Sequence, residues 1–163
     1  MDNTIIINYL FLAIMTAIFI KIAYCDYRTK FIYVSDLVAL AIVVILYKLF
    51  NDDIGASLLA GAAAYAFGYA IYIVSYWYYG EEAFGSGDVY LLGILGCYWS
   101  WPTIVHFIYF LFIFAAFFGI VLLAITRDRK YPVAFGPILI ISVFIYHMLG
   151  LPEIYSIIAN MCI

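Results

Sequence analysis

Two aspartates, Asp26 and Asp88, each stand where an apolar run meets a polar stretch. An ionisable side chain at membrane depth is expensive, so it marks a functional site by default. Two carboxylates held close together cannot both ionise easily and share one proton. Such a pair can hydrolyse an amide: one carboxylate activates water while the other, protonated, polarises the carbonyl. Gly85 and Gly87 frame Asp88 in Gly85-Ser86-Gly87-Asp88. Glycines there allow dihedrals other residues avoid and let a substrate backbone approach. Helix dipoles would separate the two acids: Asp26 follows a helix C-terminus, which disfavours its anion, and Asp88 precedes an N-terminus, which favours it. On that argument Asp88 is the base and Asp26 the acid.

The elements that must hold these acids are set by composition. The 163 residues are 69% hydrophobic and 10% charged, against about half apolar and a quarter charged in soluble domains. The fold class is all-α, a polytopic membrane protein, read as a single membrane-embedded domain over 1–163. Six spans are expected, at residues 4–24, 34–50, 55–79, 88–101, 103–126 and 133–150, with an interfacial tail at 151–163. A bilayer crossing needs about 20 apolar helical residues. The fourth span is too short and carries Gly93 and Gly96, so it is expected to be short or discontinuous, dipping into the membrane beside a wet cavity. The N-terminus has no basic stretch and reads as a retained span rather than a cleaved signal.

Arg28 and Lys30 follow the first span, Arg127, Arg129 and Lys130 the fifth, and Asn51-Asp52-Asp53 the second. Basic loops stay cytoplasmic. Both termini are then extracytoplasmic, and both acids face the cytoplasm. No basic patch suggests nucleic acid. Cys25, Cys97 and Cys162 form no CxxC pair, no metal-ligand spacing occurs, and no cofactor is expected. A nucleophilic Cys25 is disfavoured because His106 and His147 fall at the opposite face.

Three stretches resemble the type IV prepilin peptidases, membrane aspartyl proteases of pilus and type II secretion systems. Residues 25–32, Cys-Asp-Tyr-Arg-Thr-Lys-Phe-Ile, resemble the family's first aspartate motif. Residues 84–92 resemble its GxGD motif, and Phe135-Gly136-Pro137 its Phe-Gly-Pro element. Tyr33, Tyr90 and Ala134 depart from the family's usual Pro, Lys and Pro. The paired CxxC motifs linked to N-methylation in many bacterial members do not occur.

The resemblance implies Asp26 and Asp88 as catalytic residues. Gly85, Gly87, Phe135, Gly136 and Pro137 would shape the site, and Glu81 and Glu82 would attract a basic leader by long-range charge. It implies prepilin or pseudopilin precursors as substrates, in a bacterial inner membrane. The competing readings are a small ion or proton transporter with an acid relay, and a non-catalytic assembly subunit. Asp36 is expected to cap the second span, with a part in the site as the alternative, and Lys21 to snorkel toward the cytoplasm or pair with a site carboxylate.

Overall fold

A computed structural model describes residues 3–51, 54–79, 84–99, 101, 103–127 and 135–152. The described residues form six α-helices: α1 Asn3–Thr29, α2 Val34–Phe50, α3 Ile54–Tyr79, α4 Ser86–Trp99, α5 Thr103–Thr126 and α6 Phe135–Met148. The protein is an all-α polytopic membrane protein. Within α1, α3 and α5, stretches of 25, 25 and 24 residues are long and apolar enough to cross a bilayer. The other three helices are shorter.

Polar residues after Tyr24 do not end α1. The helix continues to Thr29, and the Lys30 amide closes its last turn on the Asp26 carbonyl at 2.8 Å. Lys30 adopts a φ of 59°, the left-handed geometry that stops a helix and is usually given to glycine. Asp26 therefore stands on helix, in the last turn of α1. The chain then runs through Phe31 and Ile32 to Tyr33, the residue before α2, which makes no side-chain cap bond. The expected cap, Asp36, lies inside the first turn instead. Its Oδ1 accepts a hydrogen bond from Lys21 Nζ at 2.6 Å. A lysine within reach offers a buried carboxylate full charge compensation, which a backbone amide cannot.

α4 has 14 residues, about 21 Å at 1.5 Å per residue, against about 30 Å of hydrocarbon. It is short, as expected, but unbroken. Gly93 and Gly96 are not breaks. They are contact points with α3, as small residues are where membrane helices approach closely. A Cβ at Gly96 would lie 2.8 Å from the Ala60 carbonyl oxygen and 2.9 Å from Gly61 Cα. A Cβ at Gly61 would collide with Cys97 Sγ. Any dip before α4 falls on residues 80–83, outside the described residues.

The core runs along α4 and its neighbours: Leu40 and Val44 from α2, Leu91, Leu92 and Leu95 from α4, and Leu139 from α6 are buried. At the end of the bundle away from Asp26, Trp99, Phe107 and Tyr146 pack as an aromatic cluster, with ring centroids 4.1 to 5.4 Å apart. α5 buries only Thr103, Ile104, Phe107 and Leu111, all in its first half. The topology alternates helix direction, so the end of α1 and the starts of α2, α4 and α6 gather at one face.

Candidate active site

Asp26 and Asp88 both lie at that face and are buried, at 5% and 7% exposure. Asp26 is tied to α6: the Gly136 amide donates to its Oδ2 at 3.0 Å. The approach is so close that a Cβ at position 136 would sit 2.7 Å from the same oxygen. Only glycine fits without displacing the carboxylate. Pro137 lies in the first turn of α6, where a missing amide hydrogen costs nothing.

Asp88 stands in the first turn of α4, with its amide bonded to the Gly85 carbonyl at 3.1 Å. Two aromatic side chains join the two motifs. Phe84, just before Gly85, meets Phe135, just before Gly136, edge-on with centroids 5.1 Å apart. The chain of contacts runs from Asp26 through Gly136, Phe135 and Phe84 to Gly85 and Asp88. The two acids are near enough to interact electrostatically. Asp88 Oδ1 is buried and has no hydrogen-bond partner among the described residues.

The glycine frame works differently from the expectation. Neither Gly85 nor Gly87 has a positive φ; among the described glycines only Gly150 does. Their role is closeness. A Cβ at Gly87 would lie 2.9 Å from Ile32 Cβ, and one at Gly85 would lie 3.0 Å from Asp88 Oδ2. Ile32, the apolar residue ending the first motif, thus presses on the residue before Asp88. Ile32 and Phe84 stand in the motifs of residues 25–32 and 84–92, but no role for either follows from the sequence alone. Their signal was fixed position beside a candidate acid.

The N-terminus of α6 also points at Asp26. Each carboxyl group faces one positive helix end, and Asp26 alone also stands at the negative end of its own helix, so α6 narrows the difference that helix dipoles make between the two acids. Glu81 and Glu82 lie outside the described residues. Cys25 is beside the site, but His147 is at the opposite end of α6 from Gly136. No group of three or more potential metal ligands gathers among the described residues. A cavity of about 450 Å³ between α3 and α5, lined by residues such as Ala63, Phe67 and Ile108, is apolar and includes neither acid.

Residues 10–125 match the profile of the type IV leader peptidase family. The match spans Asp26 and the Gly85–Asp88 block and stops short of Phe135-Gly136-Pro137. This chain therefore belongs to the type IV leader peptidase family. It is also similar to the prepilin leader peptidase/N-methyltransferase of Haemophilus influenzae, with 33% identity over 91 residues. That alignment covers 56% of this chain and 38% of the relative, so the chain spans well under half the length of that protein. No solved structure matches the chain.

Proposed function

We propose that this chain is an aspartyl endopeptidase that removes the basic leader of type IV prepilin-like precursors for pilus or type II secretion assembly. The observation that carries the reading is the union of two buried acids, remote in sequence, through Gly136 and the Phe84–Phe135 contact. In the proposed reaction, water sits between the carboxyl groups. The ionised carboxylate takes its proton while the protonated one donates to the scissile carbonyl oxygen, and the roles reverse as the amide nitrogen leaves. The buried Asp88 Oδ1, without a hydrogen-bond partner among the described residues, is a suitable acceptor for that water.

The excess of Lys and Arg in the 28–30 and 127–130 loops supports a cytoplasmic site, where an untranslocated leader remains. Glu81 and Glu82 would draw its positive charge toward the acids. The enzyme would lie in the bacterial inner membrane with both termini extracytoplasmic, its substrate's apolar segment held within the bilayer.

The test is leader removal from a co-expressed prepilin-like precursor. Asp26→Asn and Asp88→Asn should each reduce cleavage by about a thousandfold or more while the protein stays inserted, since each removes a group that transfers a proton. Near-normal cleavage by either variant refutes the dyad. Ion flux that persists in both variants without cleavage would instead favour a transporter.

A further inference from the structure

Three buried acids, not two, gather at this face: Asp36 is as buried as Asp26, at 5% exposure. A third anion there would oppose ionisation of a pair that must share one proton. The structure supplies its counterion. Lys21 lies five residues before Asp26 on α1, about 7.5 Å down the helix axis, and its ammonium meets Asp36 Oδ1 at 2.6 Å. The Lys21 side chain is 63% exposed and that of Asp36 only 7%. The lysine therefore bends along the helix surface to reach a carboxylate that has left solvent.

Of the other cations of this hairpin, Lys48 lies in the last turn of α2, at the far end from Asp36, and two stand near the turn. Arg28 packs over the Tyr24 ring at 5.7 Å and Lys30 over the Tyr27 ring at 5.8 Å. Lys30 is also near enough to act on Asp26, and Cys25 on Lys21. Of the helices packed on α2, α3 carries no charged residue, and α4 offers Asp88 and the phenol of Tyr90. Lys21 is the cation that meets Asp36.

We propose that Lys21 and Asp36 are positioning residues for the proton chemistry of the dyad. The lysine cancels the third carboxylate, so Asp26 and Asp88 titrate against each other and not against Asp36. The pair also ties α1 to α2 across the turn that carries Ile32, the residue pressed against Gly87. The activity readout rests on the peptidase reading; the titration readout does not.

Asp36→Asn leaves the Lys21 cation uncompensated, on a residue about 7.5 Å along α1 from Asp26. At an effective dielectric of about 20–40, one such charge moves a titration by about half to one pH unit. A nearby cation favours carboxylates, so the profile should move to lower pH. Lys21→Met/Asp36→Asn removes both charges and should return the profile to its wild-type position. A merely structural pair predicts the opposite, a double variant no better than the single one. The profile is read twice in membranes: as leader cleavage against pH, and as the infrared carboxyl bands of Asp26 and Asp88, assigned with their Asn variants. An unmoved profile in Asp36→Asn, or a double variant that keeps the single variant's shift, overturns the proposal. If the bands shift and recover as expected while the wild type cleaves no precursor, the pair stands and the peptidase reading falls.

Discussion

Gly136→Ala is the sharpest probe of how α6 serves the site. The added Cβ would lie 2.7 Å from Asp26 Oδ2, 3.1 Å from its Cγ and 3.3 Å from its Cβ. The closest approach is about 0.7 Å inside ordinary van der Waals contact. Three contacts with one side chain leave no rotation that relieves them all, so the carboxyl group must move or α6 must back away. Either motion stretches the 3.0 Å bond from the Gly136 amide. A hydrogen bond to a charged group is worth about 1.5–3 kcal/mol, which converts to a loss of about 10- to 150-fold in rate. Displacement of a catalytic group by about 1 Å costs about a hundredfold by itself. The expected result is a fall in kcat of about one to two orders of magnitude, with KM little changed, because the substrate's remote contacts are intact. The assay is leader cleavage by purified enzyme in proteoliposomes, at matched amounts of folded protein. Gly119→Ala on α5, whose Cβ would meet nothing within 4 Å, is the control and should keep full activity. A Gly136→Ala enzyme within about twofold of wild type would refute the coupling between α6 and Asp26.

The same steric reasoning extends to the rest of the molecule. Gly87→Val should reduce cleavage about tenfold or more, since its Cβ alone falls 2.9 Å from Ile32 Cβ; adding Ile32→Ala should recover part of the loss, and full activity in the single variant would refute this contact. Gly96→Leu should destabilise the protein by about 1–3 kcal/mol or more, read as a lower midpoint of thermal unfolding in detergent, because Ala60 and Gly61 meet it with backbone atoms. Single cysteines at Thr29, Asp52 and Asp128, in a cysteine-free background, should report orientation. An impermeant thiol reagent on spheroplasts should label only position 52, and labelling at 29 and 128 instead would invert the protein.

Hydropathy located the helices well where lipid alone decides their ends. α2 and α5 begin and end where the apolar runs do. It failed at the end of α1, because Asp26, Tyr27 and Arg28 look like loop residues while the backbone goes on hydrogen-bonding until Lys30 turns left-handed. α4 begins at Ser86 rather than Asp88 for a similar reason: its polar first turn carries no hydropathy signal. Asp26, Asp88 and Gly136 could be named from their types and motifs. The amide-to-carboxylate bond between α1 and α6 could not, since it joins residues 110 positions apart. The Lys21–Asp36 pair was half legible. Both residues stood out as charges in apolar surroundings, but a helix-start pattern drew Asp36 toward the wrong partner.

The short α4 has a consequence for how the chain is made. Fourteen residues are too few for an insertion machine to accept readily as a span in isolation. Yet α5 and α6 emerge afterwards, and their direction depends on whether α4 was threaded. The contacts of Gly93 and Gly96 with α3, and of Gly61 on α3 with Cys97, give the late-arriving helix a ready-made berth on the one synthesised just before it. The two helices would then enter lipid as a hairpin. A bulky residue at that seam would do more than weaken a finished protein. It would leave α4 out of the lipid on the face where α3 ends, reverse the two helices that follow, and deliver the Gly136 amide to the wrong side of the membrane from Asp26.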